Sequence, residues 1–166
     1  MKSGLPEDVI IRNDLRPGDV GYITYLHGIL YAREYGWDPT FEAYVAGPLS
    51  AFALSHSGRE RIWIVERSGE IRGSVAIVEA SGGLAQLRWL LLHPDLRGLG
   101  LGRHLVGEAV GFCRECGYRG VLLWTEARLE AAAGLYRAFG FRLAEEKTHK
   151  LWGTVVTEQR YDLTLG

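Results

Sequence analysis

The residue types best suited to chemistry lie in the segment His93-Pro94-Asp95-Leu96-Arg97-Gly98-Leu99-Gly100-Leu101-Gly102-Arg103. Three alternate glycines remove side chains where backbone N–H groups must come close to a ligand. Arg97 and Arg103 flank them with fixed positive charge. An apolar run, Leu87 to Leu92, precedes the segment, and a helix-patterned stretch, Leu101 to Cys116, follows it. A helix N-terminus leaves its first N–H groups unpaired and favours an anion. This combination predicts a cradle for a phosphate or pyrophosphate.

Three such cradles have different spacings. A P-loop requires Lys-Ser/Thr after its last glycine, but Arg103-His104 follow Gly102. A dinucleotide fingerprint starting at Gly98 places its third glycine at Arg103, and the nearest acidic partner, Glu126, lies too far along. The pattern Arg-x-x-Gly-x-Gly is met by Arg97, Gly100 and Gly102. With Leu92 to Gly102 around it, this pattern resembles the pyrophosphate loop of the GNAT superfamily of acetyl-coenzyme A-dependent N-acetyltransferases. A second stretch, Ala132 to Phe141, resembles that family's helix signature Ala-x-x-Leu-Tyr-x-x-x-Gly-Phe. It departs at position 129, where Leu129 stands for the usual asparagine and one polar contact is lost.

The resemblance implies acetyl-CoA as cosubstrate, no metal, and a set of roles. The backbone of Arg97, Gly98, Leu99, Gly100, Leu101, Gly102 and Arg103 would hold the pyrophosphate. A bulged strand around Leu90, Leu91 and Leu92 would point an N–H at the thioester carbonyl, where negative charge develops. Tyr136 would act as general acid toward the departing thiolate. By spacing alone Tyr136 shares a helical stripe with Leu129, Ala132, Ala133 and Phe139 and reads as a core tyrosine, a preference the resemblance reverses. Glu126 is the first candidate base, ahead of His93, Glu79 and Glu34, although lone charged residues are by default solvated surface groups. A water chain, common in the family, would replace a single base.

On the acceptor side His27, Tyr31 and Glu34 fall on one face of a helix, with Tyr35, Trp37 and Tyr44 close in sequence. They read either as rings packed on the sheet or as the wall of an acceptor pocket, the second being what the resemblance implies. The stretch Leu30 to Trp37 also looks like the acetyltransferase half of bacterial winged-helix regulator fusions. The winged-helix half has no counterpart here, so the sequence gives no support to DNA binding.

The elements that must position these residues follow from the rest of the pattern. Val9 to Arg12 reads as a strand, and Asp19 as the N-cap of a helix reaching about Tyr35. Asp38-Pro39 opens a second helix, which Gly47-Pro48 should kink or break before Ser55. Arg61 to Glu66, Ile71 to Glu79 and Leu84 to Leu92 read as an antiparallel meander. A strand from Tyr118 to Thr125, a helix from Arg128 to Phe139 and strands near Phe141 to Lys147 and Val155 to Leu163 complete the chain. The fold class is α/β, a mixed central sheet of about six to seven strands flanked by about four helices. Its order, β-α-α-β-β-β-α-β-α-β-β, is that of the GNAT fold.

At 166 residues the chain is read as a single acetyltransferase domain, 1–166, able to bury a substantial core. A formal charge of −1 gives no pull toward nucleic acid or an anionic membrane. The N-terminus shows no apolar secretory signal, so a cytoplasmic address is expected. Cys113 and Cys116 sit at a helix end without further ligands at zinc spacing and read as small apolar residues. An exposed last strand could pair two subunits into a homodimer. The leading expectation is therefore an N-acetyltransferase acting on a primary amine of a small molecule or peptide. The alternative is a catalytically silent CoA-binding or regulatory module of the same fold.

Overall fold

The computed structural model describes residues 4–166. Its elements are β1 (Val9–Arg12), α1 (Asp19–Tyr35), α2 (Pro39–Ser55), β2 (Arg61–Arg67), β3 (Glu70–Glu79), β4 (Leu84–Leu92), α3 (Leu101–Glu115), β5 (Gly120–Glu126), α4 (Glu130–Ala138), β6 (Arg142–Leu151) and β7 (Thr154–Thr164). This is the expected α/β order. Among the described residues the strands form one seven-stranded sheet, β1-β2-β3-β4-β5-β7-β6. The first four strands make the antiparallel meander, β4 and β5 run parallel, and β7 inserts antiparallel between β5 and β6.

Both faces of the sheet are covered, and the period-2 alternation of β2 shows why. Trp63 and Val65 join a core containing Leu105, Val106 and Phe112 of α3 and Ala133 and Tyr136 of α4. Ile62 and Ile64 point the other way, into a core built with Ile23, Leu26 and Leu30 of α1 and Phe41, Val45 and Leu49 of α2. The sheet thus separates an α3/α4 half from an α1/α2 half.

Four expectations need correction. Pro48 does not break α2, which continues through it from Pro39 to Ser55. The proline removes one donor, and the carbonyl that loses it belongs to solvent-exposed Tyr44, where water can replace the bond. Asp19 is not the N-cap of α1; Gly18 holds that position in a left-handed conformation. Asp19 is instead buried against Arg12 at 2.8 and 2.9 Å and accepts the Arg16 N–H at 2.7 Å. Burial pushes its carboxyl up, but the Arg12 hydrogen bonds and the Arg16 N–H outweigh this and hold it below the usual value. The helix expected from Arg128 starts at Glu130. Finally, the last strand is not an edge: β7 lies inside the sheet, whose outer strands are β1 and β6. Of these, β6 is the longer, and its residues from Arg142 to Lys150 are all exposed.

Candidate active site

The parallel pair at the centre of the sheet comes apart. β4 and β5 pair at Leu84–Gly120, Ala85–Val121 and Gln86–Leu122, after which β5 pairs with β7 alone. On its other side β4 carries a bulge: Ala76 faces Arg88 and Ser74 faces Leu91, so Trp89 and Leu90 together oppose Val75. Trp89 takes a left-handed φ of 53°, unusual for a bulky residue. Its carbonyl leaves the ladder and accepts the Ser74 hydroxyl at 2.7 Å. The gap opens into a cavity of about 520 Å³, lined by Leu90, Leu91 and Leu92 on one side and Trp124, Thr125 and Glu126 on the other.

The glycine segment closes one end of this cavity through Arg97, Gly98 and Gly102. Gly98 and Gly100 have φ of 78° and 79°, the left-handed region open to glycine without strain. Gly102 serves a different need, because a Cβ there would sit 3.2 Å from Leu135 of α4. The first backbone bond of α3 is His104 N–H to Gly100. Among the described residues the N–H groups from Gly98 through Arg103 have no acceptor, so a run of donors with the helix dipole behind it is available for an anion. Arg97 donates to the Leu92 carbonyl at 3.1 Å and pairs with Glu34 of α1 at 2.6 Å. Leu101 contributes only main chain, since its side chain is buried in the α3/α4 core. The side chain of Arg103 lines a separate depression on the outer side of α3 with Arg61 and Glu108.

Tyr136 and Tyr31 line the cavity from opposite halves of the molecule. Neither hydroxyl has a hydrogen-bond partner among the described residues, and neither is sealed from the cavity. Burial, reinforced by Tyr31, holds the Tyr136 phenol protonated above its ordinary range. Burial acts likewise on Tyr31, with Tyr35 and Glu34 adding to it. His27, also in the wall, donates from Nδ1 to the Ile23 carbonyl at 2.8 Å and leaves Nε2 buried without a partner. Burial pushes its pKa down to about 4, so the ring is neutral near pH 7.

Glu126, at the end of β5, is buried and lines the cavity. Its carboxylate accepts the Arg128 N–H at 2.7 Å and the Thr157 N–H at 3.3 Å, and the Arg128 guanidinium lies 3.3 Å away. Of the other candidate bases Glu34 also lines the cavity, paired with Arg97, whereas His93 and Glu79 do not. His93 bonds Asp95 at 2.8 Å in the turn after β4, and Glu79 pairs with Arg59 at 2.9 Å.

The acceptor-side aromatics converge on a residue that periodicity and motif did not single out. Trp152, in the turn between β6 and β7, packs on Trp37 at 4.5 Å, Phe41 at 4.9 Å and Tyr44 at 5.5 Å. Its carbonyl accepts the Asp38 N–H at 3.0 Å, pinning the hairpin to the α1–α2 corner. The one local signal is a tryptophan immediately before the turn glycine, Gly153. Arg88 and Arg128 also line the cavity. Leu129, in the place of the asparagine, is the N-cap of α4 and supplies no side-chain cap.

A strand pair parted beside a bulge, with a run of free N–H donors at one end and a buried phenol in the gap, makes a cavity suited to an anionic ligand. The comparisons with known proteins agree with that reading. The family profile of GNAT-family acetyltransferases matches residues 20–141, and the chain belongs to that family. An uncharacterized N-acetyltransferase of Schizosaccharomyces pombe is 33% identical over 125 residues, which is 72% of this chain and 74% of that protein. The uncharacterized N-acetyltransferase YjgM of Escherichia coli is 34% identical over 82 residues, 48% of this chain and 49% of that one. In fold the chain is similar to a GNAT-family acetyltransferase of Staphylococcus aureus, with TM-score 0.77, 18% identity and coverage of 95% and 99%. It is similar also to YncA of Salmonella typhimurium, solved with its cofactor acetyl-CoA, with TM-score 0.72, 18% identity and coverage of 96% and 95%.

Proposed function

We propose that this protein is an N-acetyltransferase that moves an acetyl group from acetyl-CoA to a primary amine by direct attack on the thioester. The observation that carries this reading is the single cavity joining the unpartnered N–H run of Gly98 to Arg103, the bulged strand at Leu90 to Leu92 and the Tyr136 hydroxyl. The free N–H groups, together with Gly98 and Gly100 in their left-handed conformations, suit a pyrophosphate and leave room for it. Acetyl-CoA supplies an acyl carbon activated as a thioester.

In this reading a main-chain N–H of the Leu90–Leu92 stretch steadies the carbonyl oxygen as charge gathers on it. Tyr136 donates to the sulfur as the C–S bond breaks. Its raised pKa keeps the proton in place until that moment, and burial raises the proton affinity of a thiolate in the same direction. Burial pushes the Cys113 thiol up in the same direction. Glu126 attracts the acceptor ammonium and takes its proton, directly or through water. His27, Tyr31 and Glu34 form part of the acceptor wall. The acceptor in this reading is a small molecule or peptide, since a formal charge of −1 gives no pull toward a nucleic acid or an anionic membrane.

Two measurements test this. Acetyl-CoA should raise the melting temperature and NAD should not. Thiol release on mixing acetyl-CoA with a panel of amines, with the acetylated product identified by mass, should then be seen for at least one amine. Binding without turnover of any amine would leave the silent CoA-binding module instead.

A further inference from the structure

The bulge in β4 does more than disturb a ladder. Along a regular strand neighbouring side chains face opposite ways, so Arg88 and Trp89 should lie on opposite faces. The extra residue turns the strand over. Leu87 packs in the α3/α4 core, but Trp89 packs in the α1/α2 core. Arg88 lies over the Trp89 ring at 5.1 Å and over Tyr44 of α2 at 5.9 Å, so two adjacent residues share the acceptor face. A cation and an aromatic surface are thereby set side by side.

Of the other charged groups lining this cavity, Glu130 lies exposed at the start of α4 without a partner among the described residues, and the rest are paired. Glu34 pairs with Arg97 at 2.6 Å, Glu126 with Arg128 at 3.3 Å, and Glu158 with His149 at 2.7 Å. Among the described residues Arg88 makes no ion pair and no hydrogen bond, although it lines the cavity half-buried. The rings it touches continue through Tyr44 and Trp152 to Trp37, whose buried indole N–H likewise has no acceptor. Two donors without acceptors therefore stand at either end of a continuous aromatic wall. A guanidinium in that position matches the fork of a carboxylate.

We propose that the acceptor is an α-amino acid with an aromatic side chain, its carboxylate held by Arg88 and its ring lying on Tyr44, Trp152 and Trp37. This rests on the acetyltransferase reading for the chemistry, though not for the binding. In the reaction the neutral amine nitrogen forms a C–N bond to the acyl carbon and the C–S bond breaks. The amine loses one proton and the departing sulfur gains one, so the products are the N-acetyl amino acid and the CoA thiol. The wall also sets an expected selectivity: a small amino acid would leave the rings uncovered.

The test separates binding from turnover. L-phenylalanine, L-phenylalaninamide and phenethylamine are titrated calorimetrically into the unaltered protein saturated with coenzyme A, and L-alanine is added as a control for the ring. The acid should bind about 10- to 100-fold more tightly than the amide or the amine, as expected for a charge-assisted pair. It should also bind more tightly than alanine, and Arg88→Gln should abolish the preference over the amide. Equal or tighter binding of the amide, no binding of phenylalanine, or a preference that survives Arg88→Gln would overturn the proposal. The comparison of acid with amide needs no variant, so a poorly folding Arg88→Gln leaves it decisive. Thiol release is followed in parallel. Acid-selective binding with no thiol released from any amine would sink the acetyltransferase reading and spare the pocket. Turnover of other amines without acid preference would do the reverse.

Discussion

The two ends of the cavity are built from different materials. The donor end is main chain: N–H groups of one short loop and one helix turn, shaped by glycines at 98 and 100 and by a strand that leaves its partner. The acceptor end is side chain, drawn from α1, the α1–α2 corner, α2, β4 and the β6–β7 turn, and held together by ring stacking. A pyrophosphate presents the same charge and shape to every protein that binds it, so a local, nearly residue-independent cradle suffices. The acceptor varies in chemistry, and only a wall of side chains can be specific for one.

The comparison is tested hardest by Tyr136→Phe, since this hydroxyl lies where the two ends meet. Loss of a positioned acid predicts a fall in kcat of about 100-fold or more. The calorimetric Kd for coenzyme A should stay within a factor of two or so, because the N–H run is untouched. Unchanged turnover across pH would remove Tyr136 from the chemistry.

Trp152→Ala acts on the acceptor end alone. Truncating a buried tryptophan costs about 3 kcal/mol or more in unfolding free energy. In the folded variant the acceptor KM should rise while the melting-temperature gain from acetyl-CoA is retained. Loss of that gain would show that the two ends are not separable.

His27 tests the acceptor half by pH. Its folded pKa, about 4, lies below the ordinary 6.5 because burial disfavours the charged ring. Between these values the unfolded chain holds a proton that the folded chain refuses, so stability falls as pH drops. The loss should reach about 2–3 kcal/mol by pH 4.5. Urea unfolding of the wild type and of His27→Gln, at pH 7.5 and 4.5, isolates it from the carboxylates that titrate in the same range. Equal pH dependence in the two proteins would refute it.

The smallest effect is expected at the donor end. Gly100→Val forces a β-branched residue to φ near 79°, a strain of about 1–2 kcal/mol. Relief of that strain tilts the N–H run, and the Kd for acetyl-CoA should rise about tenfold with little change in acceptor KM.

What could be read without coordinates follows the same division. The Arg97 to Arg103 cradle and the Tyr136 helix are contiguous motifs, and the element order came from local periodicity and turn chemistry. Pro48 reads as a breaker in the sequence, but its lost hydrogen bond falls on the solvent side of α2, where water compensates. Asp19 has the chemistry of a cap, and only its pairing with Arg12, in a different element, buries it. Alternation from Leu87 puts Arg88 on the acceptor face, but it puts Trp89 on the other; only the bulge brings the two together, and no local pattern shows it.

The glycine loop, the Tyr136 helix and the family resemblance are legible in the chain alone, because each motif is contiguous: φ-permissive glycines run into a helix start, and the tyrosine sits at fixed spacing before Gly140-Phe141. Only the tertiary structure decided the acceptor wall. Bringing Trp152 onto Trp37 depends on where β7 inserts, and setting Arg88 beside Trp89 on one face depends on a single extra residue in β4. Both are outcomes of strand pairing between distant segments, which no local pattern specifies.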